Sequence, residues 1–325
     1  MRTSPVVFFA LAASLGINSV ASAQTYPTRP ITLVVPFAAG GPVDTVARIL
    51  SDPMRKALGQ TVVVDNTTGA AGTIGVGRVA RAAPDGYTVS IGHWSTHVVN
   101  GAIYSLQYDL LNDLEPVAMI ASNPMVIVSK NAAPAKDLKE LLAWVRKDQD
   151  KVLVGTAGVG SGTHMSGVYF QNVTGTKLTF VPYRGTGPAM QELLAGRLDL
   201  IVDQLSNSLP QVRGGRIRAH AVTAKTRSPA APDVPSVDEA GLAGFHMSIW
   251  YGTWVPRGTP KGAIAKLNSA IVESLADSAV RRRLGDLGLE ITPRDQQTPE
   301  ALRAHHKAEI DKWWPMIKAA GIKVE

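Results

Sequence analysis

The stretch VVPFAAGGPVDTVARIL, residues 34–50, decides how the rest of the chain is read. An apolar, β-branched run reaches Phe37, passes through Ala38-Ala39-Gly40-Gly41, and enters a segment whose Val43, Val46, Ala47 and Leu50 recur at helical spacing. Pro42 suits the first helical position, where its missing N–H would have no partner in any case. Glycine accepts backbone angles that other residues avoid. The stretch therefore predicts a strand, a tight turn and a helix. The turn has two readings. It is a plain connection of an α/β fold, or it bares backbone N–H groups at a helix start and so forms a site for an anion.

Outside this stretch the chain has ordinary globular composition: 325 residues, 45% hydrophobic and 18% charged. Disordered and collagen-like classes are excluded. The opening segment places Arg2 ahead of an apolar run from Val6 to Leu15, followed by Ala21-Ser22-Ala23, the pattern of a secretory signal with its cleavage site. Residues 1–23 are expected to be removed on export, near Ala23. No later stretch approaches the roughly 18 apolar residues that span a bilayer, so a soluble exported protein is expected. At roughly 150 residues per domain, two domains are the default. The chain has no cysteine, which rules out a disulfide framework, thiol catalysis and lipid attachment through a cysteine. The net charge of +7 is scattered apart from Arg281-Arg282-Arg283, which reads as a solvated helix face rather than a nucleic-acid contact. A mildly basic exported protein suits small anions.

Short apolar runs alternate with helical patterns: ITLVVPF, TVVVDN, YTVSIG, VAMIAS, MVIVSK, VLVGTA, LTFVPY, LDLIVD and IRAHAVTA. This is the signature of an α/β protein with a largely parallel sheet, whose ligands bind beyond the carboxyl ends of strands. Three further loops repeat the logic of the opening. VLVGTAGVGSGTHMSGVYFQ offers Thr156, Ser161 and Thr163; FVPYRGTGPAMQELLAG offers Tyr183, Arg184 and Gly185; YTVSIGHWSTHVVNGAIY delivers His93, Trp94, Ser95 and Thr96. A boundary near Ile127 and a return near Ile249 divide the chain into one lobe of 24–126 plus 250–325 and another of 127–249. Two crossings between them would make a hinge around a cleft that excludes water.

The strings YPTRPITLVVPFAAGGPVDTVARIL, VDNTTGAAGTIGVGRVARAAPDGYTV, STHVVN, GSGTHMSG, YRGTGPAMQELLAGRLDL and VPSVDEAGLAGF closely resemble the Bug-type substrate-binding proteins of tripartite tricarboxylate transporters. The likeness runs over essentially the whole mature chain. It implies a type II periplasmic-binding-protein-like fold, two α/β lobes joined by a hinge, that closes on a carboxylate and hands it to membrane permease subunits. It also implies a periplasmic location and neither catalysis, cofactor nor metal; a monomer without nucleic-acid partners is expected. Carried over by motif, Phe37, Gly40, Gly41 and Asp44, with Ser95 and Thr96 beside them, hold the ligand from one lobe. Thr156, Ser161, Gly162, Thr163, Tyr183, Arg184, Gly185 and Asp203 face them from the other. One departure stands out. Where relatives carry small residues before Ser-Thr-His, this chain has His93-Trp94, so Trp94 either lends an aromatic face to a ring-bearing acid such as terephthalate or packs in a lobe core.

Several residues keep two readings. Asp44 falls in the first helical turn, where a carboxylate favours the helix dipole structurally, or it orders water at the ligand. Arg184 carries a planar fork suited to carboxylates, or it bridges the surface. Asp203 ends the LDLIVD strand and is expected to face the cleft rather than cap a buried helix. Ser161, His164 and Asp203 supply the residue types of a serine hydrolase, but GVGSGT departs from G-x-S-x-G and His164 shares the serine's loop. GVGRVA does not directly follow a strand, against a dinucleotide site. His305-His306 with Glu309 lacks metal-ligand spacing and reads as a solvated face, and Trp313-Trp314 as an anchor for the last helix. Aliphatic di- and tricarboxylates, aromatic dicarboxylates and monocarboxylates all satisfy the loops, and a loaded protein could serve a sensor instead of a permease.

Overall fold

The computed structural model describes residues 26–319, 321 and 322, so the export signal lies outside the described residues. In chain order the elements are β1 (Ile31–Val35), α1 (Pro42–Leu58), β2 (Val62–Asn66), α2 (Thr73–Ala80), β3 (Thr88–His93), α3 (Asn100–Ile103), β4 (Leu114–Lys130) and α4 (Leu138–Lys147). There follow β5 (Leu153–Thr156), α5 (Gly162–Thr174), β6 (Thr179–Pro182), α6 (Thr186–Leu194), β7 (Leu200–Gln204), α7 (Leu205–Arg213) and β8 (Ile217–Val222). The chain ends with β9 (Ser248–Pro256), α8 (Lys261–Ala276), α9 (Ser278–Asp286), β10 (Glu290–Ile291) and α10 (Pro299–Ala319). The α/β architecture is the one the sequence predicts, and the opening stretch forms β1, the turn and α1 with Pro42 in its first turn.

The sheet is mixed rather than largely parallel. Its order is β2-β1-β3-β9-β4-β7-β5-β6, with β8 and β10 also on β4. β1 runs parallel to β2 and β3, and β5 parallel to β6 and β7, as right-handed βαβ crossovers require. The two long strands β4 and β9 are antiparallel to their neighbours and to each other. VAMIAS and MVIVSK, which read as two strands, are one. Through Pro124 this strand pairs with β9, and from Met125 onward it pairs with β7 and β8.

Apolar faces close around this frame in three clusters. Val46, Leu50 and Met54 of α1 pack with Ile31, Leu33 and Ile271. Val126 and Val128 of β4 pack with Leu193, Ile201 and Leu209. The third cluster joins Trp94 and Val98 to Trp254, Phe245 and Ile310, so the last helix is tied to the sheet. Trp314 donates its Nε1–H to Val98 O at 2.8 Å, the anchoring expected of the tryptophan pair. Arg281, Arg282 and Arg283 on α9 are exposed, as expected. His305-His306 is not a solvated face. His306 is buried and bonds through Nε2 to His97 O, because the face of α10 that carries it covers the end of β9.

Candidate functional site

Three helices begin at one place. Gly41, Pro42 and Val43 at the start of α1, Ser161, Gly162 and Thr163 at the start of α5, and Thr186 at the start of α6 line a single cavity of about 10 Å³, the room of one water molecule. The first N–H groups of a helix have no intrahelical partner and carry its positive partial charge. Pro42 has no N–H, so α1 offers those of the residues after it. Ser161 caps α5 by accepting from His164 N at 3.3 Å and lies 3.1 Å from Thr163 Oγ1. Phe37, His93, Ala157 and Gln204 complete the wall.

The loops bearing these helix starts meet directly. Ala38 N donates to Arg184 O at 3.2 Å across the gap between the β1–α1 and β6–α6 connections. A Cβ on Gly187 would lie 3.0 Å from Ala39 O and 3.2 Å from Gly41 N, and one on Gly185 would lie 3.0 Å from Ala38 N. Only glycine permits that approach without displacing backbone. Gly40 and Tyr183 border an outer groove of about 440 Å³ on the solvent side of the same contact.

Of the residues singled out in the sequence, Phe37, Gly41, Ser161, Gly162 and Thr163 come together on the cavity, and Gly40, Tyr183 and Gly185 stand at its outer edge. Others are placed elsewhere. Trp94 does not face the cavity: it is 2% exposed and packs edge-on against Trp313, ring centroids 5.0 Å apart. Ser95 and Thr96 turn onto His93, Thr96 Oγ1 accepting from His93 N at 3.0 Å. Thr156 accepts through its carbonyl from Tyr183 N at 2.9 Å.

Asp44 is held within the β1–α1 turn. Its carboxylate accepts from Gly40 N, Arg48 Nε and Asn66 Nδ2. Burial pushes its pKa up, but the bonds from Arg48, Gly40 and Asn66 outweigh that and leave it lowered. Arg184 is exposed, and its carbonyl oxygen, not its guanidinium, spans the gap. Asp203, expected to face the cleft, is buried beside the start of α7, accepting from Gln204 N, Asn207 Nδ2 and Ser208 Oγ. Burial raises it to about 6 against those bonds.

These placements also separate the residues of the hydrolase reading. Ser161 Oγ meets the backbone N–H of His164 rather than its ring, His164 Nδ1 accepts from Gly160 N at 3.2 Å, and Asp203 bonds to neither. Among the described residues no group of three metal-ligating side chains occurs. The arrangement left is a small cavity on which three helix N-termini converge.

The model of the family described as "Tripartite tricarboxylate transporter family receptor" matches residues 46–322. The chain belongs to this family. It is similar to the solved periplasmic binding protein BugD, with 41% identity, a TM-score of 0.89, and coverage of 92% of this chain and 100% of that one. It is similar to MatC from Rhodopseudomonas palustris, solved with bound malate, at 41% identity, TM-score 0.86, and coverage of 90% and 100%. An R. palustris protein solved with adipate is 33% identical, TM-score 0.86, over 92% and 100%. This receptor is thus a solute-binding protein of a periplasmic family and not an enzyme. Two cavity residues of the receptor, His93 and Gln204, were not singled out as ligand contacts. Each ends a strand, at the carboxyl edge where α/β ligands sit, which is the signal that points to them.

Proposed function

We propose that this receptor captures a small di- or tricarboxylate in the cleft between lobes 24–126 plus 250–325 and 127–249, and delivers it to the membrane permease of a tripartite tricarboxylate transporter. The observation that carries the reading is the convergence of the α1, α5 and α6 N-termini on one cavity. Each charge-assisted hydrogen bond contributes ~1.5–3 kcal/mol, so a few such bonds reach the ~8 kcal/mol of micromolar binding after ordering costs. The malate and adipate held by the two similar proteins are ligands of this class. Trp94 lends no face to the cavity, so it does not itself favour an aromatic acid such as terephthalate. The 10 Å³ between the loops requires them to part for entry, a hinge motion about β4 and β9.

The test is thermal melting against citrate, malate, succinate, adipate, benzoate and terephthalate, with ester hydrolysis measured on the same samples. A dose-dependent rise in Tm with an aliphatic acid and no turnover is expected, since a ligand that prefers the folded state stabilises it by mass action. A folded protein whose Tm no acid moves, or turnover lost in Ser161→Ala, would overturn the reading.

A further inference from the structure

The cavity has a second wall, built from side chains. His93 closes β3 with its ring stacked on Phe37, centroids 5.2 Å apart, and edge-on to Tyr251 at 5.8 Å. Ser95 N points at His93 Nδ1 from 3.2 Å, and Ser95 Oγ lies 3.1 Å from the same nitrogen. A backbone N–H can only donate, so Nδ1 holds the lone pair and the ring proton sits on Nε2. Burial lowers this imidazole to about 4, which keeps it neutral. Gln204 closes β7, and its Oε1 accepts from Tyr251 Oη. That bond spends the amide oxygen and leaves the NH₂ group as the free end. The side-chain bonds of these two residues run from His93 Nδ1 to Ser95 and from Gln204 Oε1 to Tyr251, and both side chains line the cavity. No carboxylate and no cationic side chain lines it.

We propose that His93 Nε2–H and the Gln204 NH₂ are donors that read a second oxygen-bearing end of the ligand, so that the site selects a diacid over the monoacid of equal length and over its amino-substituted analogue. The assignment rests on the carboxylate reading above. Helix N-termini recognise one carboxylate without regard to the rest of the molecule. A methyl in place of the second carboxylate leaves two buried donors unpaired, and discrimination of that kind is strong. An ammonium substituent meets donors and no acceptor carboxylate.

Calorimetric titration of the full mature chain tests it with succinate, butyrate and aspartate, and with adipate and hexanoate. The wild-type protein is expected to bind a diacid about tenfold or more tightly than its monoacid and to disfavour aspartate against succinate. In Gln204→Met, which keeps the volume and removes the donors, that ratio collapses toward unity while monoacid affinity holds; His93→Phe, checked for folding by its melt, does the same. A loss of packing alone would weaken diacid and monoacid equally. If both variants fold and keep the wild-type ratio, or if aspartate binds as well as succinate, the assignment is overturned while the carboxylate reading stands. If the wild-type protein binds none of the five acids, and none of citrate, malate, benzoate or terephthalate either, the carboxylate reading falls and this assignment with it.

Discussion

His93 and Trp94 are neighbours in sequence and opposite in role. His93 closes β3 with its side chain at the cavity, and Trp94, already in the helical turn that follows the strand, packs in the core against Trp313. Trp94→Ala is expected to cost ~3–5 kcal/mol of stability, seen in denaturant melts, and to leave the preference between aromatic and aliphatic acids unchanged. The bulk at 93–94 was legible in the sequence; which side chain faces the cavity depends on where β3 ends, and composition does not reveal that. Asp44 and Asp203 teach the same lesson. Their residue types and positions at element ends were legible, but their oxygens are spent on Gly40, Arg48 and Asn66 in one case and on α7 in the other. That Gly41, Ser161, Gly162 and Thr163 sit at helix starts, where the structure brings them to one cavity, was legible because glycines and small hydroxyl residues at a strand-to-helix turn have a local physical reason to be there.

At the scale of elements, β4 is where sequence and structure part. Ser122-Asn123-Pro124 is turn-forming chemistry between two apolar runs and so reads as a break. The strand runs through it because its pairing changes partner there, from β9 through Pro124 to β7 and β8 from Met125 onward. Asn123 secures the change. Its Nδ2–H donates to Gly288 O at 2.9 Å, and its Oδ1 accepts from Ser206 N at 3.0 Å, so one side chain ties the loop before β10 to the start of α7. Asn123→Ala leaves two buried backbone groups unpaired and is expected to lower stability by ~2–4 kcal/mol, measured as a shift of the urea midpoint at constant slope. An unchanged midpoint would remove Asn123 from that role. The mixed sheet itself was beyond the sequence, since strand direction follows from long-range pairing that no local run encodes.

For the whole molecule, buried imidazoles set the response to pH. Burial lowers His93, His164, His220 and His306 to about 4 each and places His97 well below its ordinary value. Unfolded, these rings bind protons below about 6.5; folded, they stay neutral down to about 4. Between those values the unfolded chain binds more protons, so stability falls as pH falls. Asp203 works the other way: raised to about 6 when folded, it takes up its proton before the unfolded carboxyl does and so favours the folded state on acidification. Five groups outweigh one. Tm is expected to drop by more than about 5 °C between pH 7.5 and pH 5, and a flat or rising Tm over that interval would refute the balance.

The same whole-molecule view makes the meeting of the two glycine loops the centre of the account. Ala38, Gly41, Gly185 and Gly187 let the loops touch and bring three helix N-termini to one cavity, where the proposed carboxylate would be held. A side chain at Gly187 strikes the backbone of Ala39, Gly40 and Gly41 rather than core side chains. The most direct measurement is calorimetric titration of Gly187→Val beside the wild-type protein with the acid that most raises the wild-type melting temperature. The account predicts a variant that melts within a few degrees of the wild type, in line with a loss of ~1 kcal/mol or less, and binds that acid at least about a hundredfold more weakly. A folded Gly187→Val that binds with wild-type affinity would contradict it.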